Sequence, residues 1–315
     1  MASIIKKLIN GILSDVIQLE HSAQDIDDAI TKTSQLTGRN LLDNWYFADP
    51  INQRGQTSYT GAVYGIDRWR SLAGNTISVE TSGLRITGSN DTSFSNMIQQ
   101  NFPEELLNAL DEKTVTASIL VSENTGGGAV AVRLGATAGS TVTTGLSTLT
   151  VAFNKRSHSY FSIQHATPKT ANFVVQAVKL ELGTQQTLAR KAVDGTWVLI
   201  DPPPNKAEEL AKCQRYFVKF EGSIFNGYVN NLTTMFFLSV DLPVTMRVRP
   251  VVGSYSLNYL CSGGVYSTNI TSLTPYSGTA DGTSKFYLQC NTSSELPFRT
   301  TLAAYMNYLN LSADL

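Results

Sequence analysis

The side chains of this sequence that could do covalent chemistry are few. A serine or cysteine nucleophile needs a histidine base within hydrogen-bonding reach, and the chain has three histidines, His21, His158 and His165. His21 lies in a segment predicted to be helical, and no G-x-S-x-G signature surrounds a serine. His165 alternates with Phe161 and Ile163, as expected on a strand face. We therefore predict no nucleophilic catalysis.

Two aspartates stand beside tryptophans, Asp43 near Trp45 and Asp67 near Trp69. Glycoside cleavage uses paired carboxyl groups at a defined separation, which a sequence does not give. An aspartate that caps a turn and a tryptophan that fills a core explain both pairs as scaffold. The sequence favours this second interpretation, and we expect a protein that is not an enzyme and has no catalytic residue.

Metal and cofactor sites are not expected either. The three cysteines, Cys213, Cys261 and Cys290, are far apart and odd in number. This spacing predicts free buried thiols rather than a disulfide framework, and a zinc site would need a fourth ligand and a CxxC-type pair. The glycines at 126–128 have no following Lys-Ser or Lys-Thr to hold phosphate.

Aromatic side chains are the residues that could bind a sugar, because flat rings stack on apolar sugar faces while amides and hydroxyls bond the sugar hydroxyls. Three candidates are either sugar-binding or core residues: Trp45, Tyr64 and Trp69. A second set lies among Ser, Thr and Gly in the segment 253–282, a mixture typical of binding loops. These four candidate receptor-binding residues are Tyr255, Tyr259, Tyr266 and Tyr276. Their alternative role is packing in a trimer interface.

The elements that would position these residues are mainly strands. Between residues 38 and 190, seven short segments with period-two patterning predict a first antiparallel β-sandwich, interrupted by one helix over 102–112. Residues 191–212 form a linker with three prolines and a short helix that Asn205 would cap. Residues 213–315 hold further strand patterns and predict a second β-sandwich.

The first 37 residues carry a heptad pattern that predicts an α-helical coiled coil. The trimerisation seam consists of Ile12, Val16, Leu19, Ala23, Ile26 and Ile30. Branched residues at both seam positions favour three strands over two. The alternative is a single amphipathic helix that packs on its own domain.

Composition excludes several function classes. A net charge of −1 offers little attraction to phosphate backbones or anionic lipid, so we expect no nucleic-acid partner. Apolar runs are too short to cross a bilayer, so no membrane insertion is expected. Polar residues interrupt the apolar N-terminus, and the sequence predicts no secretion signal.

Five stretches resemble a known family. The stretches are KLELG at 179–183 followed by AEELAKCQRYF at 207–217, NLLDNWYFADPINQRG at 40–55 with YGIDRW at 64–69, and LNLSADL at 309–315. They resemble the tail-fibre and receptor-binding proteins of bacteriophages and prophages. These are scaffold motifs of a broad family of modular fibres. The order of helix and strands is similar to the carbohydrate-binding jelly rolls of such fibres.

The resemblance implies a function and partners. It implies a homotrimer that attaches to a phage tail or baseplate protein through its N-terminal coiled coil and adheres to a bacterial surface glycan. Residues 38–190 would form the shaft and residues 213–315 the host-facing tip. The alternative is the reversed orientation, with the C-terminal domain docked onto the virion. The protein would be assembled in the cytoplasm of the bacterial host and reside in the virion tail. A structural baseplate component with no receptor of its own and a polysaccharide-degrading fibre are the alternatives.

Overall fold

A computed structural model describes residues 3–9, 12–19, 38–89, 94–166, 170–229, 234–261, 265–266, 270–276, 285–296 and 301–314. The architecture is mainly β, with antiparallel sheets, as the sequence predicts. Two short helices accompany 22 strands in the described part of the chain.

The most N-terminal described element is a two-stranded antiparallel sheet. It pairs β1 (Ser3–Ile9) with β2 (Ile12–Leu19), and Ile9 lies opposite Ile12. The intervening sequence, Asn10-Gly11, is the dipeptide that most favours a two-residue hairpin connection. Both strands are rich in isoleucine, whose β-branched side chain favours the extended backbone.

The prediction of a helical coiled coil is therefore wrong for the first half of the heptad seam. Ile12, Val16 and Leu19 lie in β2 rather than in a helix. The apolar spacing that suggested a heptad competes with the β preference of isoleucine and valine, and the β preference prevails. The other seam residues, Ala23, Ile26 and Ile30, lie outside the described residues.

Two sheets with one shared hydrophobic core, here called the sandwich, occupy residues 58–182. The strands are β3 (Ser58–Thr60), β4 (Arg70–Ser71), β5 (Asn75–Glu80), β6 (Gly83–Ser89), β7 (Phe94–Asn101), β8 (Thr114–Asn124), β9 (Val130–Leu134), β10 (Thr137–Val142), β11 (Gly145–Ala152), β12 (Tyr160–Ala166) and β13 (Thr170–Leu182). One sheet has the order β10-β9-β12-β7-β4 and the other β11-β8-β13-β6-β5-β3. Apolar residues of both sheets form the core.

The predicted helix of the sandwich is confirmed as α1 (Glu104–Leu110), which begins after Pro103. Proline is favoured at helix starts because its missing N–H would have no partner there. All seven strand segments predicted between residues 38 and 190 also exist, with ends shifted by up to two residues.

A second hairpin and a helix follow the sandwich. The hairpin pairs β14 (Ala189–Lys191) with β15 (Trp197–Leu199), and Leu199 and Trp197 pack against the sandwich core. Helix α2 (Lys206–Gln214) is capped by the preceding Asn205, whose side chain accepts hydrogen bonds from the backbone N–H groups of Ala207 and Glu208. The predicted N-cap is confirmed.

The remaining strands form one seven-stranded antiparallel sheet, here called the C-terminal sheet, where a second sandwich was predicted. Its strands are β16 (Phe217–Val229), β17 (Met235–Asp241), β18 (Val251–Cys261), β19 (Val265–Tyr266), β20 (Ile270–Pro275), β21 (Lys285–Thr292) and β22 (Thr301–Ser312). The order is β19-β18-β22-β16-β17-β21-β20. The long strands β16 and β22 pair along nearly their whole length, and this pairing joins the strands on either side of them into one sheet.

Candidate functional site at the junction groove

Four stretches that are far apart in the sequence meet where the sandwich contacts the C-terminal sheet. They are 40–55, 64–69, 207–217 and 309–314, the stretches that carry the family resemblance together with 179–183. The Gln53 side-chain amide donates to the carbonyl oxygen of Phe217 at 2.8 Å. The Ala313 N–H donates to the carbonyl oxygen of Tyr216 at 2.6 Å. We call this contact region the junction.

Arg54 is the central side chain of the junction. Its Nη1 lies 2.9 Å from Oδ1 of Asp67, and its Nη2 lies 2.7 Å from Oδ2 of Asp314. Asp67 also accepts hydrogen bonds from the backbone N–H and the side-chain amide of Gln53, at 3.2 and 2.9 Å. One guanidinium therefore balances a carboxylate of the sandwich and a carboxylate that follows β22.

Both carboxylates have raised pKa values because they are buried. Asp67 is fully buried, and this raises its pKa to about 6, while Arg54 and the hydrogen bonds from Gln53 act in the opposite direction. Burial also raises the pKa of Asp314, again against the attraction of Arg54. Burial penalises the charged form of a carboxyl group, and a nearby cation recovers only part of that loss.

Arg54 also stacks on aromatic rings. Its guanidinium carbon lies 3.8 Å from the centre of the Phe217 ring and 5.6 Å from the centre of the Tyr64 ring. A planar guanidinium can form in-plane hydrogen bonds and stack on rings at the same time. The ion pairs and the two rings therefore hold Arg54 in one position.

Arg68 makes a second connection across the junction. Its side chain is 1% exposed, Nε lies 3.1 Å from Asp43, and Nη2 donates to the carbonyl oxygen of Asn101 at 3.0 Å. Its guanidinium carbon is 3.5 Å from the centre of the Tyr216 ring. The Arg68 backbone has a φ of 70°, which is uncommon outside glycine. These contacts fix the YGIDRW turn against the start of the C-terminal sheet.

An open groove of 460 Å³ lies beside Arg54. Its lining combines rings, amides and hydroxyls: Arg54, Gln56, Tyr59, Thr60, Val63, Tyr64, Phe217, Gly253, Ser254 and Asn310. Arg54 is the one charged residue in this lining, and two carboxylates already pair with it. The groove can therefore offer ring faces and neutral hydrogen-bonding groups to a ligand.

Asn310 of β22 contributes a side-chain amide to the groove lining. Its Nδ2 donates to the Ser254 hydroxyl at 2.8 Å. Its Oδ1 is buried and has no hydrogen-bond partner among the described residues. Because this oxygen is closed to solvent, a ligand hydroxyl can bond it only after the Asn310 side chain turns toward the groove.

The three aromatic candidates of the sandwich separate into two groups. Trp45 and Trp69 are 6% and 0% exposed and belong to the sandwich core. The Trp69 indole donates to the carbonyl oxygen of Asn44 at 2.9 Å, which satisfies its polar edge inside the core. Tyr64, by contrast, is half-buried and lines the groove.

Of the four candidate tyrosines of the segment 253–282, Tyr255 and Tyr276 do not line the groove. Tyr255 is half-buried and packs against the core of the C-terminal sheet. Tyr276 is 38% exposed, and its ring centre lies 4.8 Å from that of Phe237. The backbones of Tyr259 and Tyr266 lie in β18 and β19, and their side chains fall outside the described part of the structure.

His158, His165, Cys213 and Cys290 have structural surroundings, whereas His21 and the side chain of Cys261 lie outside the described part of the structure. His158 accepts a hydrogen bond from the Asn154 N–H, and His165 stacks on Phe173 with ring centres 5.7 Å apart. Burial lowers the pKa of both histidines and raises that of the buried thiols Cys213 and Cys290. Within the described ranges, no three His, Cys, Asp or Glu side chains cluster as a metal site would require. No helix of those ranges has the length and apolarity needed to span a membrane.

The sequence alone did not identify Arg54, Phe217, Asn310 or Asp314 as site residues. All four lie within the stretches that carry the resemblance, so those stretches were the available signal. What was missing was the spatial proximity of segments up to 260 residues apart, which the Arg54–Asp314 hydrogen bond reveals.

Comparison with known proteins adds little to this geometry. No family model and no curated protein sequence matches the chain. The solved structures that match include the N-terminal CBM22-1-CBM22-2 tandem domain from Paenibacillus barcinonensis Xyn10C, which aligns with 88% of this chain and 98% of its own chain. The identity is 11% and the TM-score is 0.28. A likeness of this degree carries no argument about the fold or the ligand of this chain.

Proposed function

We propose that this chain is a phage or phage-derived tail-fibre subunit that adheres to a bacterial surface glycan through the junction groove. The observation that carries the proposal is the groove itself, which is open and is lined by rings, amides and hydroxyls. The second support is the sequence resemblance, whose motifs contribute Arg54, Tyr64, Phe217 and Asn310 to the lining of that groove. The mechanism is adhesion without covalent chemistry.

The binding mode follows from the lining. The Tyr64 ring is the element that stacks on an apolar sugar face, and Asn310, Ser254, Gln56 and Thr60 are the groups that bond hydroxyls. The ion pairs of Arg54 hold the groove walls in place before a ligand arrives, which reduces the entropy lost on binding. Each such site is weak alone.

A homotrimer would compensate for weak single sites. Three identical sites on one particle bind a dense surface polymer together and gain avidity without new contacts. Trimerisation and attachment to a tail or baseplate protein through the N-terminus rest on the resemblance, since residues 12–19 form a strand rather than the expected helix. A solution mass near three times 34.3 kDa by light scattering tests this part. A monomer would remove the avidity mechanism.

A polysaccharide-degrading fibre is the second candidate, favoured by the raised pKa values of Asp67 and Asp314. Neither carboxylate lines the groove, and both bind the same guanidinium. Adhesion therefore fits the geometry better than cleavage. Release of reducing ends from a bound glycan, abolished by Asp67→Asn, would reverse this preference.

The deciding experiment is binding to an array of purified bacterial surface polysaccharides. Asn310→Ala and Tyr64→Ala should each weaken binding by roughly five- to tenfold. Tyr276→Ala is the matched control, because it removes an exposed tyrosine of the C-terminal sheet outside the groove. Loss of binding in the control alone would assign recognition to the C-terminal sheet. An absence of binding by the unaltered protein would favour a structural baseplate role.

A further inference from the structure

A second pocket lies on the sandwich, beside the β14–β15 hairpin. It has a volume of 280 Å³ and is lined by Leu120, Val121, Ser122, Thr144, Gly145, Gln176, Thr196 and Trp197. None of these residues lines the junction groove. The pocket is therefore a separate feature, and a ligand bound in it would be independent of the proposed role of the groove.

Trp197 forms one wall of this pocket. Because Gly145 has no side chain, the indole ring can pack closely against its backbone. A Cβ atom added at Gly145 would lie 2.7 Å from the indole nitrogen of Trp197. Gly145 also has a φ of +97°, a conformation that other residues rarely adopt. The opposing hairpin strand places Lys191 with its Nζ 5.5 Å from the centre of the indole ring. These contacts hold the half-buried ring in one orientation.

The polar groups of the pocket are all uncharged. Ser122 and Thr144 are exposed hydroxyl residues, and Gln176 comes from the adjacent strand β13. No described residue hydrogen-bonds the side-chain amide of Gln176. Thr196 donates its hydroxyl to Asp194, which lies in the hairpin turn outside the lining, and so keeps its capacity to accept. The lining contains no acidic or basic side chain.

We propose that this pocket is a binding site for a neutral saccharide unit, with Trp197 as its stacking platform. An indole ring that is fixed in place binds the apolar face of a pyranose, while amide and hydroxyl groups bond the hydroxyls at its rim. No lining side chain carries a charge, and the Lys191 cation lies outside the lining against the indole ring, so an uncharged sugar is the ligand class that the lining itself fits. Gln176 is the specificity-determining hydrogen-bonding residue, because its amide both donates and accepts.

Tryptophan fluorescence tests the site directly. Of the three tryptophans, Trp45 and Trp69 are 6% and 0% exposed, so quenching by acrylamide reports mainly on half-buried Trp197. The full chain is titrated with cellohexaose, maltohexaose and chitohexaose up to about 10 mM, the range in which weak sites fill. We expect at least one of these saccharides to protect Trp197 from acrylamide. Protection by none of them overturns the proposal.

Variants distinguish binding in this pocket from binding in the groove and from a change in the hairpin. Gln176→Ala should raise the dissociation constant of the protecting saccharide by roughly fivefold. Val198→Ala, at the next and more exposed hairpin residue, should leave it unchanged. Asn310→Ala in the junction groove should also leave Trp197 protection unchanged, whereas its loss in that variant would place the observed binding in the groove. Equal effects of Gln176→Ala and Val198→Ala would indicate a structural change of the hairpin and overturn the assignment.

Discussion

The Arg54 guanidinium and the Asp314 carboxylate lie 2.7 Å apart, although 260 residues separate them in the sequence. The same guanidinium binds Asp67 at 2.9 Å. One side chain thus joins a loop that precedes the sandwich strands to the residues that follow β22. Because Arg54 also lines the groove, the stability of the junction and the shape of the candidate site depend on the same contacts.

Replacing Arg54 by methionine should destabilise the protein strongly. The substitution leaves two buried carboxylates without their cation, and we expect a loss of about 3 kcal/mol in the free energy of unfolding at pH 8. The loss should be smaller at pH 5, where Asp67 takes up a proton. Urea unfolding measures both values. Lys206→Met is the control, since its ion pair with Asp49 is exposed and should contribute less than about 1 kcal/mol.

The pKa of Asp67 predicts a pH dependence with a definite sign. Its folded pKa of about 6 is higher than the unfolded value of about 3.9. Its stabilising contribution is therefore complete below about pH 4 and is lost as the pH rises through 6. Between pH 4 and pH 8, the free energy of unfolding of the wild type should fall by about 3 kcal/mol relative to that of Asp67→Asn. A stability difference that stays constant over this range would contradict the burial-driven shift.

Thiol labelling should distinguish opening of the junction from opening of the core of the C-terminal sheet. Cys213 lies in α2 and Cys290 in β21, and burial raises the pKa of both. Only the thiolate reacts, so iodoacetamide should modify neither residue in the folded protein at pH 8. Arg54→Met should accelerate labelling of Cys213 but not of Cys290, as mass spectrometry of peptides can show. Equal acceleration would mean that the two regions open together.

A matched pair of glycine substitutions should isolate the packing of Trp197. Gly145 and Gly183 have φ values of +97° and +99°. Alanine at either position should lower the free energy of unfolding by roughly 1 kcal/mol because of backbone strain. A Cβ atom at Gly183 meets nothing within 4 Å, whereas at Gly145 it meets the Trp197 ring. Gly145→Ala alone should therefore shift tryptophan emission to longer wavelength and speed amide hydrogen exchange in β14 and β15.

The sequence predicted local structure well wherever one local signal acted alone. Alternation located the sandwich strands, Pro103 located α1, and Asn205 located the start of α2. At the N-terminus two local signals competed, a heptad spacing and an Asn-Gly dipeptide between isoleucines. The heptad was the weaker of the two for Ile12–Leu19, because branched residues favour extended backbone unless a partner helix covers them.

Long-range relationships could not be predicted from the sequence. Alternation in β16 and β22 does not say whether their partners form one sheet or two, since both arrangements bury the same face. Trp69 and Tyr64 are aromatic residues of one motif, yet only the fold assigns one to the core and the other to the groove. Arg54 carries no local sign of its two carboxylate partners.

The strand order of the C-terminal sheet has a consequence for how the protein acquires its structure. β22 lies between β16 and β18 and follows both in the sequence. Until β22 inserts, two strands of 13 and 11 residues each present an unpaired edge. Open edges recruit other chains, and pairing over long sequence distances is slow. The C-terminal sheet should therefore be the last part to form on refolding and the part most dependent on protection from aggregation until then.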